Sequence, residues 1–155
     1  FLAVPELEWT ELYAQRVGIA VREGSELSRR KSVSVSELRD ETFLCNNSNS
    51  DMEMLTWNIC ERAGFTPAVS LTSNYSNLIG EMVSRGRGIT VIPEPLFNEK
   101  NEGNPMDWAK KIAMIPLEEE YCVLRSVAAI SRSRYVRSAA MKLYRQIVAR
   151  APFVP

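Results

Sequence analysis

The sequence predicts an α/β fold on three observations. Segments whose apolar residues alternate take turns with segments whose apolar residues recur at helical spacing. Glycine or proline punctuates several of the junctions between the two kinds. The composition, 45% apolar and 25% charged in 155 residues, is that of a globular chain with enough material for a core. The order strand, helix, strand, helix, strand through the middle of the chain predicts a largely parallel sheet.

The elements follow in order. RVGIAVR, residues 16–22, sets Val17, Ile19 and Val21 on one face of a strand. LEWTELY before it spaces Leu7 and Trp9 by two and then loses regularity, so it reads as a weaker or edge strand. SVSVSELRDETFLC, residues 32–45, predicts a loop, one helical turn near 36–39 and a strand at 42–45. Ser50 followed by Glu53 is a capping-box pattern. It opens a helix with Met54, Leu55, Asn58, Ile59 and Arg62 on one face, supplemented by Met52 and Trp57, and with Gly64 as its stop. TPAVSLT, 66–72, is a strand. Ser73 then caps a helix whose stripe is Leu78, Ile79, Met82 and Val83, ended by Gly86 and Gly88. ITVIP, 89–93, is a short strand, and the polar stretch 98–108 reads as a mobile surface loop. KIAMIP and CVLRSVAAIS are strand-like, and SAAMKLYRQIVAR closes the chain as a helix with Ala140, Leu143, Tyr144, Ile147 and Val148 on one face.

Charge and cysteine usage exclude several classes. Nineteen basic and 19 acidic side chains leave no net charge, hence no general attraction to nucleic acid or an anionic membrane. No apolar run is long enough to span a bilayer. There is no histidine, and Cys45, Cys60 and Cys122 are far apart, which argues against a zinc site and for reduced thiols in an intracellular protein. The glycines at 86 and 88 follow a helix, the reverse of a dinucleotide loop, and neither a phosphate loop nor a nucleophile elbow is present. Asp51 and Glu53 are explained by favourable charge at a helix start rather than by acid–base chemistry. No catalytic residue, metal or cofactor is expected.

Binding has a clearer basis. In α/β sheets, ligands settle beyond the carboxyl ends of strands, where helices begin. Two such junctions, 45–51 and 72–76, are rich in Asn, Ser and Thr. Helix starts leave backbone N–H groups able to hold a carboxylate, sulfate or phosphate, and side-chain amides and hydroxyls add donors. The same residue types also serve as ordinary caps and loop formers.

Residues 37–95 contain ELRDETFLC, then ICERAGFTPAVSLTS, then LIGEMVSRGRGITVIPEPL. In order and spacing these resemble the effector-binding domain of the LysR-type transcriptional regulators, and the resemblance extends over about residues 8–150. It implies a periplasmic-binding-protein-like (type 2) α/β effector domain, here one complete lobe plus part of the other. Residues 1–19 would be the end of the first lobe and the first crossover, 20–117 the second lobe, and 118–155 the second crossover and closing helix of the first lobe. The family's opening strands and its DNA-binding winged helix-turn-helix have no counterpart, so the chain reads as an N-terminally truncated, cytoplasmic regulator.

The partners implied are a small-molecule effector, with an anion among the candidates, a second copy of the regulator in a homo-oligomer, and DNA only through the absent domain. The helix 76–85, with Tyr75, Ile79 and Met82, is the candidate pairing surface. Mapping the family's second-lobe contacts gives Asn46, Asn47, Ser48, Asn49, Ser50, Ser73, Asn74 and Ser76. Where many members carry LPRGSG this chain has CNNSNS, which removes an arginine and a glycine from the site. The rival readings are a solute-binding protein of a transport system and a small α/β enzyme.

Overall fold

A computed structural model describes residues 6–46, 51–94, 107–132 and 137–151. Its elements are β1 (Leu7–Arg22), β2 (Thr42–Asn46), α1 (Asp51–Arg62), β3 (Ala68–Ser73), α2 (Ser76–Ser84), β4 (Thr90–Pro93), β5 (Ile112–Pro116), β6 (Val123–Ser131) and α3 (Ser138–Arg150). Short 3₁₀ turns occupy Leu27–Arg29, Val35–Leu38 and Asp107–Lys111. The chain forms two compact units, Gln15–Leu124 and a smaller one made of 1–14 and 125–155.

In the larger unit the sheet is mixed, which corrects the expectation of a largely parallel one. β2 and β3 are parallel, with Thr42 opposite Ala68 and Asn46 opposite Ser73. β4 joins β2 in the same sense through a bridge between Phe43 and Ile89. There the Leu44 N–H donates to the Ile89 carbonyl and the Ile89 N–H to the Thr42 carbonyl, both at 2.8 Å. β1 pairs antiparallel with β4 on one side and with β5 on the other. The physical reason is connectivity. Helical crossovers α1 and α2 force β2, β3 and β4 to run together, whereas β1 and β5 lie outside those crossovers.

The pleat of β1 and β2 distributes the core onto both faces of this sheet. Val17, Ile19 and Phe43 pack with Ile59 and Cys60 of α1, while Ala20 and Leu44 pack with Ile79 and Val83 of α2. The two helices therefore cover opposite faces. Each large side chain buried this way stabilises the fold by about 1.5–3 kcal/mol. Gly88 permits the tight approach of β4 to β2, since a Cβ there would lie 2.6 Å from the Thr42 carbonyl oxygen.

Several element boundaries differ from expectation. LEWTELY is no separate edge strand; it continues into 16–22 as one 16-residue strand. The helical turn expected near 36–39 is the 3₁₀ turn Val35–Leu38, with the Glu37 carboxylate accepting from the Ser34 N–H at 3.2 Å. In α1 the buried face is Thr56, Ile59 and Cys60, leaving Met54 and Trp57 outside. Gly64 does end that helix in a left-handed conformation, φ 83°. Ser50, the expected cap, lies outside the described residues, as does most of the polar stretch 98–108. At its end, however, Trp108 is buried rather than part of a surface loop.

The smaller unit pairs the start of β1 with β6. The Arg132 N–H donates to the Glu6 carbonyl at 2.7 Å, and Arg125 bonds both carboxylate oxygens of Glu11 at 2.9 Å. Residues late in β6 thus meet residues early in β1, so the two run in opposite directions. The α3 helix is tied to β1 by Thr10 and Tyr144, whose hydroxyls are 2.7 Å apart. Its expected apolar stripe is only partly covered, for Leu143 and Ile147 are exposed.

Candidate ligand-binding site

The site is built where β2 and β3 end. These parallel neighbours place Asn46 directly opposite Ser73, so the two polar junctions read from the sequence start side by side. Ser73 does not cap α2, contrary to expectation. Its Oγ accepts the Tyr75 N–H at 3.1 Å, and Tyr75 is the N-cap residue, with no side-chain cap bond. The Tyr75 carbonyl takes the N–H groups of Leu78 and Ile79. That leaves the N–H groups of Ser76 and Asn77, at the opening of the helix, as the donor surface.

Asn46 and Ser76 line the same cavity, of about 140 Å³, between α2 and the sheet. Ala20 of β1, Thr90 of β4, Trp108 and Ile112 also line it. Asn74 is exposed. Asn47, Ser48, Asn49 and Ser50 lie outside the described residues. Among the lining side chains given by the described residues none is charged.

Trp108 is the lining residue that sequence reasoning missed, because the polar stretch around it hid a lone aromatic. The 3₁₀ turn Asp107–Lys111 presses its indole onto α2 at Gly80. A Cβ on Gly80 would lie 2.5 Å from Cε3 and 2.6 Å from Cδ2 and Cζ3 of the indole. Glycine inside a helix costs about 1 kcal/mol relative to alanine, and the indole explains its presence here. The Trp108 Nε1–H is buried and has no hydrogen-bond partner among the described residues.

The titrating groups point away from catalysis. Burial pushes the thiols of Cys45 up to about 11 and of Cys60 and Cys122 up to about 12. They are therefore neutral and poor nucleophiles near pH 7. Glu37 is held below the usual carboxylate value, first by the Ser34 N–H and then by Arg30. Among the described residues no group of three His, Cys, Asp or Glu is placed to hold a metal. No helix there is long and apolar enough to cross a membrane.

A family model described as the LysR substrate binding domain matches residues 2–152. The chain belongs to that family. A curated relative, the transcriptional dual regulator GltC of Bacillus subtilis (strain 168), is 28% identical over 88 residues. That match covers 57% of this chain and 29% of GltC, so the alignment spans less than a third of the relative. Among solved structures, the regulatory domain of CcmR from Synechocystis PCC6803 in complex with 2-PG superposes with a TM-score of 0.76 at 16% identity. It covers 97% of this chain and 69% of that one. The effector-binding domain of BenM with benzoate gives 0.72 at 20% identity, covering 100% and 69%. This LysR domain thus has the periplasmic-binding-protein-like α/β fold. Its membership supports a regulatory binding role and sets the enzyme reading aside.

Proposed function

We propose that this LysR domain is the effector-sensing portion of a cytoplasmic transcriptional regulator, and that Asn46 and Ser76 hold the effector at the strand ends. The observation that carries the reading is their convergence. Two residues 30 positions apart in sequence, each at a strand-to-helix junction, line one cavity at the start of α2. Unit 15–124 corresponds in this reading to the family's second lobe, and 1–14 with 125–155 to part of its first. Ligand binding shifts the population between two arrangements of an oligomeric parent protein and so the geometry of its DNA contacts. Asn47, Ser48, Asn49, Ser50, Ser73 and Asn74 complete the proposed wall, and neutral donors with a helix start suit a small carboxylate or phosphate. The compounds bound in the two solved relatives, benzoate and 2-PG, are the first to try.

Calorimetric titration of the chain with those two and related small acids tests this. A compound that binds should bind at least about tenfold more weakly to Ser76→Ala and Asn46→Ala, the size of one lost hydrogen bond. The far-ultraviolet circular dichroism of both variants should be unchanged. Equal affinity in folded variants would remove the two residues from the site.

A further inference from the structure

The register of the sheet turns a further polar group toward the cavity, one pleat inside the strand ends. Around β4, Ile89 and Val91 belong to the core on the α1 side, while Ile92 packs with the core on the α2 side. Alternation therefore turns the Thr90 side chain toward α2. Its partner across the β1–β4 pair is Ala20, also of the α2-side core, and both line the cavity. The bridge between Phe43 and Ile89 sets Thr90 beside Leu44, two residues before Asn46 on the same face of β2. Two residues span roughly 7 Å of strand.

Asn46, Ser76 and Thr90 are the oxygen-bearing side chains of the described lining, which carries no charge. Thr90 is 5% exposed, and no side-chain hydrogen bond among the described residues involves it. The unpartnered side-chain polar atom that is fully enclosed among those residues is Trp108 Nε1. The Thr90 oxygen therefore keeps some accessible surface, and on this face of the sheet that surface is cavity.

We infer that Thr90 is a second recognition point in the cavity, sharing a hydrogen bond with an uncharged oxygen of a small acid whose acid group lies at the opening of α2. The ligand class is then a hydroxy or oxo acid. The inference rests on the proposed strand-end site and deepens it. An acid without that oxygen leaves the Thr90 hydroxyl unpaired, and a site built around a hydroxyl discriminates against such an analogue. A second carboxylate in the same place is disfavoured too, because no cation in the described lining offsets its loss of water.

Three five-carbon acids test it by nuclear magnetic resonance titration of the ¹⁵N-labelled 155-residue chain. They are 4-oxopentanoate, with one keto oxygen, pentanoate, with none, and glutarate, with a second carboxylate. The first should bind at least about fivefold more tightly than either of the others, the size of one net hydrogen bond. Thr90→Val removes the hydroxyl and keeps the shape. It should bring 4-oxopentanoate to within about twofold of pentanoate and leave pentanoate unchanged, whereas Thr90→Ser should keep the preference. Thr90→Val should also not lower the urea midpoint, because the hydroxyl that it removes has no internal partner. Equal binding of 4-oxopentanoate and pentanoate by the parent chain overturns the inference, however the variants fold. So does a preference that survives in Thr90→Val, a lowered midpoint in that variant, or no saturable shift with any of the three acids at tens of millimolar. Equal binding of all three acids, each weakened by Ser76→Ala, removes Thr90 and keeps the strand-end site. A preference abolished by Thr90→Val but untouched by Ser76→Ala and Asn46→Ala keeps Thr90 and removes the strand-end site.

Discussion

The two units differ most in where their apolar residues end up. Every buried hydrophobic residue among those described lies within 15–124, from Val17 to Cys122. The smaller unit has none, and α3, despite a clear apolar stripe, leaves Leu143 57% and Ile147 43% exposed. A sheet with a helix on each face closes a core by itself. One helix against a pair of strands covers only one side, so the smaller unit relies on strand pairing and polar contacts. An amphipathic pattern therefore establishes that a helix forms, without establishing that its stripe is covered.

The largest test of this contrast is chemical. All three thiols belong to the larger unit, and at pH 8 a displacement from about 9 to about 11 or 12 lowers the thiolate fraction on the order of a hundred- to a thousandfold. Iodoacetamide should therefore label the native chain at least a hundredfold more slowly than the urea-unfolded one, as read by mass spectrometry. Because the folded values are raised, this contribution to stability is complete below about pH 9 and is lost as pH rises toward 11–12.

Next in size, Phe43→Ala should cost about 3–5 kcal/mol in urea denaturation by opening a cavity beneath α1. Gly80→Ala should cost about 1–3 kcal/mol, because the new methyl group meets the Trp108 indole, although alanine favours the helix. A net stabilisation would show that the indole moves aside easily. In the smaller unit, Tyr144→Phe should cost about 1 kcal/mol through loss of the bond to Thr10, visible as faster amide exchange in α3. Smallest of all, Leu143→Ser and Ile147→Ser should fall within about 0.5 kcal/mol of the parent in the isolated chain. A loss of several kcal/mol in either would mean that the stripe is covered after all.

How much was legible in the sequence follows from the range of the forces involved. The alternation of strands and helices from 42 to 93, and the stop at Gly64, depend on local periodicity and backbone preference, and both were readable. Pairing was not. Whether β4 lies beside β2, β1 or both depends on contacts between residues some 45 to 75 positions apart, for which periodicity carries no sign. The split of β1 into two strands was misread because its first half lies in the smaller unit, where no face is fully buried and alternation is therefore blurred. Within the candidate site, the chemistry of strand ends singled out the two junctions, and the family resemblance named Asn46 and Ser76 within them. Trp108 was overlooked because a single indole among Asn, Glu, Gly and Asp has no period to betray it.

The way β1 and β6 thread the two units also orders events in time. Residues 15–124 are an uninterrupted stretch, so that unit can complete its sheet while the rest of the chain is still being made. The smaller unit has its halves at the two ends of the sequence, and its strand pair cannot form until the whole intervening stretch has been synthesised. A folded 15–124 shortens the effective loop, because it holds Val17 N–H on the Cys122 carbonyl at 3.0 Å and so delivers the two strands to each other already aligned. The larger unit can thus form first, and the pairing of residues 1–14 with 125–155 follows it.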